Sequence, residues 1–154
     1  MFDRFRHISA QKTGDSTLEV TSILRDTLHE VSLRMSVDMQ SQEIKAVSVE
    51  FSRGPYTVCR DVAPLAERIV GLKVQEGIIR QLREQLGGGQ GCHQLLDVAV
   101  EGVKAVFQTL DFFMEGTEEE VFRYWDESLR GTCYTHSQAT EVLWNSRDLP
   151  DERG

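Results

Sequence analysis

Apolar and polar residues alternate strictly from His29 to Asp38. His29, Val31, Leu33, Met35 and Val37 fall on one side, and Glu30, Ser32, Arg34, Ser36 and Asp38 on the other. This period of two predicts a half-buried β-strand that carries His29 on its apolar side. Leu18 to Leu24 is rich in β-branched residues and reads as a strand before it, and a shorter one spans Phe5 to Ile8. A polar connector ending in Gly14-Asp15-Ser16 separates those two. After Met39-Gln40-Ser41-Gln42, residues Glu43 to Phe51 predict a further strand, with Val47, Val49 and Phe51 sharing a face, closed by Gly54-Pro55. Short links between consecutive strands favour an antiparallel meander.

The period then lengthens. Val62, Leu65, Ala66 and Ile69 recur at helical spacing, with Asp61 as N-cap, Pro64 in the first turn and Cys59 just ahead. A second helix, from about Glu76 to Leu86, buries Ile79, Leu82 and Leu86. The strongest stripe follows: Cys92, Leu95, Leu96, Ala99, Val103, Val106, Phe107 and Leu110 line one side of a long helix, with Gly102 on its other side as a mark of close packing. Thr117-Glu118-Glu119-Glu120 is a capping box opening a helix to about Leu129, and Gly131 closes it. Thr132 to Ser137 and Thr140 to Asn145 predict a terminal hairpin.

Between the second and third helices lies Gly87-Gly88-Gly89-Gln90-Gly91, immediately before Cys92-His93. It lacks the Lys-Ser/Thr ending of a phosphate loop and follows a helix rather than a strand, so it predicts a tight helix-to-helix turn and no nucleotide. At least one of these glycines should take a positive φ. Cys92 then opens a helix, at the positive end of its dipole, a setting that suits metal-bound or reactive thiols.

Composition narrows the picture. The 154 residues are 40% hydrophobic and 27% charged, as in an ordinary globular protein. They predict a single domain over 1–154: a core at about 17–111, a C-terminal helix and hairpin at about 117–146, and a frayed tail at 147–154. A net charge of −8 argues against nucleic-acid and anionic-membrane partners and permits a basic protein partner. No apolar run is long enough to span a bilayer, and Met1 to His7 has no apolar signal core, which makes the cytoplasm the expected compartment. Three widely spaced cysteines do not form a disulfide framework.

The candidate chemistry is a metal site. His29 opens the central strand, and Cys59 and Cys92 lie near helix starts, so all three can reach one edge of the sheet. Imidazole and thiolate together suit zinc or iron. His93 is an outer candidate, although it points roughly 100° away from Cys92 on a regular helix. The spacing matches no compact zinc motif. Buried structural cysteines in a metal-free interaction module are the competing reading. A redox pair of Cys59 and Cys92 is a third. Cys133 and His136 would point to opposite faces of a strand, and no serine–histidine–acid set stands out, so a non-enzymatic role is expected.

Cys59, Val70-Gly71-Leu72-Lys73-Val74, Gly77, Leu86-Gly87-Gly88 and Gly91-Cys92 with Leu95 resemble a bacterial domain-of-unknown-function family, numbered 2889, over roughly residues 17–146. The likeness includes His29 and Cys133. That family continues its second cysteine as Cys-Thr-His-Leu, whereas this chain reads Cys92-His93-Gln94-Leu95. The order of elements is also similar to the U-type iron–sulfur cluster assembly scaffolds. Cys59 and Cys92 match the second and third cysteines of that group, and the first falls near Thr27, beside Asp26 and His29. This resemblance implies an α+β fold, an antiparallel meander packed against helices, and a metal-binding or iron–sulfur role with His29, Cys59, Cys92 and His93 as ligands.

Overall fold

The computed structural model describes residues 1–113 and 116–138. The chain divides into two compact units, Met1–Phe113 and Met114–Gly154. In the first, β1 (Arg4–Thr13), β2 (Thr17–Asp26), β3 (Glu30–Asp38) and β4 (Ile44–Arg53) form one antiparallel sheet in the order β1-β2-β3-β4. The meander is as expected, but β1 is longer than the predicted Phe5–Ile8. Its polar second half pairs residue by residue with β2 down to Thr13↔Thr17, where Gly14 turns the chain at φ +63°. Backbone pairing extends a strand that side-chain pattern alone cuts short.

One face of the sheet makes the core. Leu18, Val20 and Leu24 of β2 and Val31, Leu33, Met35 and Val37 of β3 are almost wholly buried. In β4, Ile44, Val47 and Phe51 are buried although Ile44 and Val47 are an odd number of residues apart. A register shift explains this: Val37 pairs with Ile44 but Ser36 with Ala46, so Lys45 bulges and the strand changes face. At the β4 edge, Ile44 N–H donates to the Leu72 carbonyl (2.9 Å), and Gly71 N–H to the Ile44 carbonyl (2.8 Å).

Three helical stretches follow. Thr57–Ile69 is a 3₁₀-type run, so Cys59 sits inside it rather than ahead of an Asp61 cap. The turn that starts it is made by Cys59 N–H on the Tyr56 carbonyl (3.1 Å), and Pro64, within it, has no N–H to donate. α1 (Ile78–Leu86) buries Ile78, Leu82 and Leu86. α2 (His93–Phe112) buries Leu95, Leu96, Val98, Ala99, Val103 and Val106 against the sheet.

Two positions of α2 differ from expectation. Phe107 is 40% exposed, lying past the last buried residue, Val106. Gly102 is buried and faces the sheet, because it lies four and seven residues after Val98 and Leu95. A Cβ there would come within 2.6 Å of Met35 Cε. The missing side chain lets the helix settle on β3.

The glycine cluster is a compact connector. Gly88 takes φ +69°, as a glycine closing a helix should. Gly91 has no room for a Cβ, which would strike the Leu86 carbonyl oxygen. Its amide donates to the Gly88 carbonyl (3.2 Å) and the Cys92 amide to that of Leu86 (2.8 Å), while Arg68 Nη1 bonds the Gln85 and Gln90 carbonyls, each at 3.1 Å. Gly91→Ala should therefore cost about 1–3 kcal/mol, as forced overpacking does. Gly89→Ala, with open space around it and no positive φ, should be near neutral. Urea midpoints of the two variants check this contrast.

In the second unit, α3 (Glu118–Ser128) opens on the expected capping box: Thr117 Oγ1 accepts from Glu120 N–H (3.3 Å) and the Glu120 carboxylate from Thr117 N–H (2.9 Å). The backbone N–H and hydroxyl of Thr117 hold the Glu120 carboxyl below its ordinary range. The predicted strand Thr132–Ser137 is instead a helical turn, Tyr134–Ser137. Local bonds favour it: Ser137 Oγ donates to the Cys133 carbonyl (2.7 Å) and Thr132 Oγ1 to that of Leu129 (2.6 Å). The second predicted strand, Thr140–Asn145, and the 147–154 tail lie outside the described residues.

Candidate functional site

The polar centre of the first unit is Asp26, the last residue of β2, whose side chain is completely buried. The turn Asp26-Thr27-Leu28-His29 links β2 to β3, and the carboxylate holds it closed. Oδ1 accepts from the N–H groups of Leu28 (2.8 Å) and His29 (2.7 Å) and stands 3.1 Å from the His29 ring Nδ1. Oδ2 accepts from Arg4 Nε (3.1 Å) and Nη2 (2.7 Å). Burial alone would raise this carboxyl. The N–H groups of Leu28 and His29, then Arg4 and the imidazole, outweigh it and hold Asp26 well below the usual carboxylate range.

Arg53 and Arg4 tie neighbouring elements to this turn. Arg53, at the end of β4, donates through Nη2 to the Asp26 carbonyl (2.7 Å) and also meets the Thr27 and His29 carbonyls, each at 3.4 Å. Arg4 and Arg6 of β1 point to the helix layer, where Asp97 of α2 stands 3.9 Å from Arg4 and 3.0 Å from Arg6. Glu101 adds a contact to Arg6 at 3.5 Å. Helix, edge strand and turn are thus joined through Arg4. Arg4, Arg53 and Asp97 carry no pattern signal in the sequence. Only the fold brings them together.

The neighbouring turn repeats the device. Asp38 ends β3, and its Oδ1 accepts from Ser41 N–H and Ser41 Oγ, both at 2.7 Å. Those two Ser41 groups hold the Asp38 carboxyl below its ordinary value. In both turns an aspartate ending a strand takes the N–H of the residue three positions on and a polar atom of that residue's side chain. His29 occupies the place that Ser41 holds in the next turn.

The other predicted ligands are placed separately. His29 lies in the turn just before β3, half-buried. Cys59 packs beneath Gly54, where a Cβ would come within 2.5 Å of the Cys59 Cβ and 2.9 Å of its Sγ. Cys92 is the residue before α2, half-buried against the core, and makes no side-chain capping bond. His93 is exposed. Cys59, Cys92 and Cys133 are free thiols. Among the described residues, however, no three His, Cys, Asp or Glu side chains stand together as a metal-holding group.

The fold and its turns define a small α+β domain: a four-stranded meander, one face covered by helices, with two strand ends closed by aspartate turns, that of Asp26 buried and that of Asp38 half-buried. The chain belongs to the DUF2889 family of proteins of unknown function, whose profile matches residues 4–108. That span runs from β1 into α2 and contains the Asp26 turn, Cys59 and Cys92. No curated protein and no solved structure matches the chain. No helix among the described residues is long and apolar enough to cross a membrane.

Proposed function

We propose that the chain is a metal-free interaction module whose cysteines are structural. The observation that carries this reading is the repeated turn. The Asp26–His29 pair does at one strand end what Asp38–Ser41 does at the next, so the imidazole is accounted for by loop closure. Cys59 fills the space beneath Gly54, and Cys92 packs on the core as the chain enters α2. His29, Cys59 and Cys92 thus each already have a structural duty. The net charge of −8 favours a basic protein partner over nucleic acid or an anionic membrane.

A protein that folds around a metal loses stability when a chelator removes it. The thermal midpoint of anaerobically purified protein should therefore be the same with and without excess chelator. Cys92→Ala should lower it by an amount equivalent to about 1 kcal/mol, the scale of one buried methylene-sized group, in both conditions. A chelator-induced fall that is absent in Cys92→Ala would reject the reading.

A second reading keeps zinc, iron or an iron–sulfur cluster, in the manner of the U-type scaffolds, with His29, Cys59 and Cys92 as ligands and His93 further out. The observation in its favour is the carboxylate on His29 Nδ1, since a carboxylate in that position commonly orients a metal-bound imidazole. It requires the strand end and both cysteine-bearing segments to close on one another.

A further inference from the structure

Beside the Asp26 turn, where β4 gives way to the helical run, lies an open cleft of about 430 Å³ lined by Ser52, Arg53, Pro55, Tyr56, Thr57 and Arg60. We propose that this cleft binds a small organic carboxylate with a flat apolar body, gripped by Arg53 and Arg60 and lying against Tyr56 and Pro55. The proposal goes beyond the interaction-module reading and uses neither cysteine.

The volume falls within the range of small-ligand sites, roughly 300–1,000 Å³. The two arginines have different parts. Arg53 is fixed before any ligand arrives, because the carbonyls of Asp26, Thr27 and His29 hold its guanidinium, yet its side chain remains 46% exposed. Glu30 approaches it only to 3.8 Å. A cation held in this way loses little side-chain freedom when it binds. Arg60 is exposed and has no ion-pair partner among the described residues, so its fork of donors is open to a carboxylate. Tyr56 is 72% exposed beside these cations, and with Pro55 it offers a flat apolar wall. The hydroxyls of Ser52 and Thr57 line the same space. In a chain of net charge −8, two arginines facing one cleft form a local inversion of sign.

Benzoate is a direct probe of this chemistry, with benzamide as its neutral isostere and inorganic phosphate as an anion without an apolar body. Titrations of the full ¹⁵N-labelled chain, followed at the Gly54, Tyr56 and Thr57 amides, should saturate with benzoate. Benzamide should move these signals little. Phosphate should bind more weakly than benzoate. Arg60→Gln should weaken benzoate roughly tenfold, the loss expected for one charge-assisted hydrogen-bond pair. Arg80→Gln, which makes the same charge change on α1, should bind as the unmodified chain does. Failure to saturate, equal binding of benzamide, unchanged binding by Arg60→Gln, or phosphate binding as tight as benzoate would each overturn the proposal. A failed titration leaves the metal-free reading intact, because that reading is tested by chelation.

Discussion

Asp26→Ala should lower the unfolding free energy by about 2–4 kcal/mol, since it removes one member of a buried hydrogen-bonded charge network. The N–H groups of Leu28 and His29 would lose their acceptor, and Arg4 its short bond. The backbone donors account for more of this loss than the ion pair does, because the Arg4 side chain is 31% exposed and its charge is partly screened by water. Acid should reveal the same group. The folded-state pKa of Asp26 lies below its unfolded value, so its contribution is fully present above the ordinary carboxylate range and is lost as pH falls toward the folded value. Between the two values, stability should fall by about 1.4 kcal/mol per pH unit from this group alone. Urea unfolding from pH 7 down to about pH 3 should show a shallower acid loss for Asp26→Asn than for the unmodified chain. Parallel curves would show that the carboxylate is not what closes the turn.

Leu33→Ala should cost a similar amount, about 2–5 kcal/mol, by a different route. Leu33 is fully buried at the centre of β3, between Ser22 of β2 and Val49 of β4, on the face covered by α2. Truncation removes its apolar transfer term and leaves a cavity, because a sheet hydrogen-bonded on both sides cannot collapse to fill it. Its cost should be nearly independent of pH, unlike that of Asp26. Measuring both variants at pH 7 and at about pH 3, inside the range where the Asp26 contribution is being lost, separates core packing from the buried network. A Leu33→Ala chain as stable as the parent would show that the helices do not cover this face.

How much of this was legible in the sequence depends on the type of signal. The alternation from His29 to Val37 and the stripe from Cys92 to Leu110 each report a buried face. Val31, Leu33, Met35 and Val37 and the middle of the stripe, from Leu95 to Val106, are buried, whereas His29, Cys92 and Leu110 are half-buried and Phe107 is exposed. Thr117 and Glu120 announce a cap because the capping box is local. The positive φ at Gly88 follows from the same kind of local rule. The Lys45 bulge was not legible, since inserting one residue breaks the period without changing composition. Nor was the polar centre. Asp26 and Arg4 are 22 positions apart and Asp26 and Arg53 are 27, and only the antiparallel register makes them neighbours. His29, Cys59 and Cys92 drew attention as metal-prone residue types. Residue type names a chemistry, whereas a metal site also needs convergent geometry, and no three such side chains form a holding group among the described residues.

The most direct test of a metal-free scaffold with structural cysteines is the metal content of the protein, purified anaerobically without chelator and measured by inductively coupled plasma mass spectrometry. Zinc and iron should both stand far below one atom per chain, with no change in Cys59→Ser or Cys92→Ser. Near-stoichiometric zinc or iron that falls in either variant, and not in Cys133→Ser, would contradict the account and restore His29, Cys59 and Cys92 as ligands.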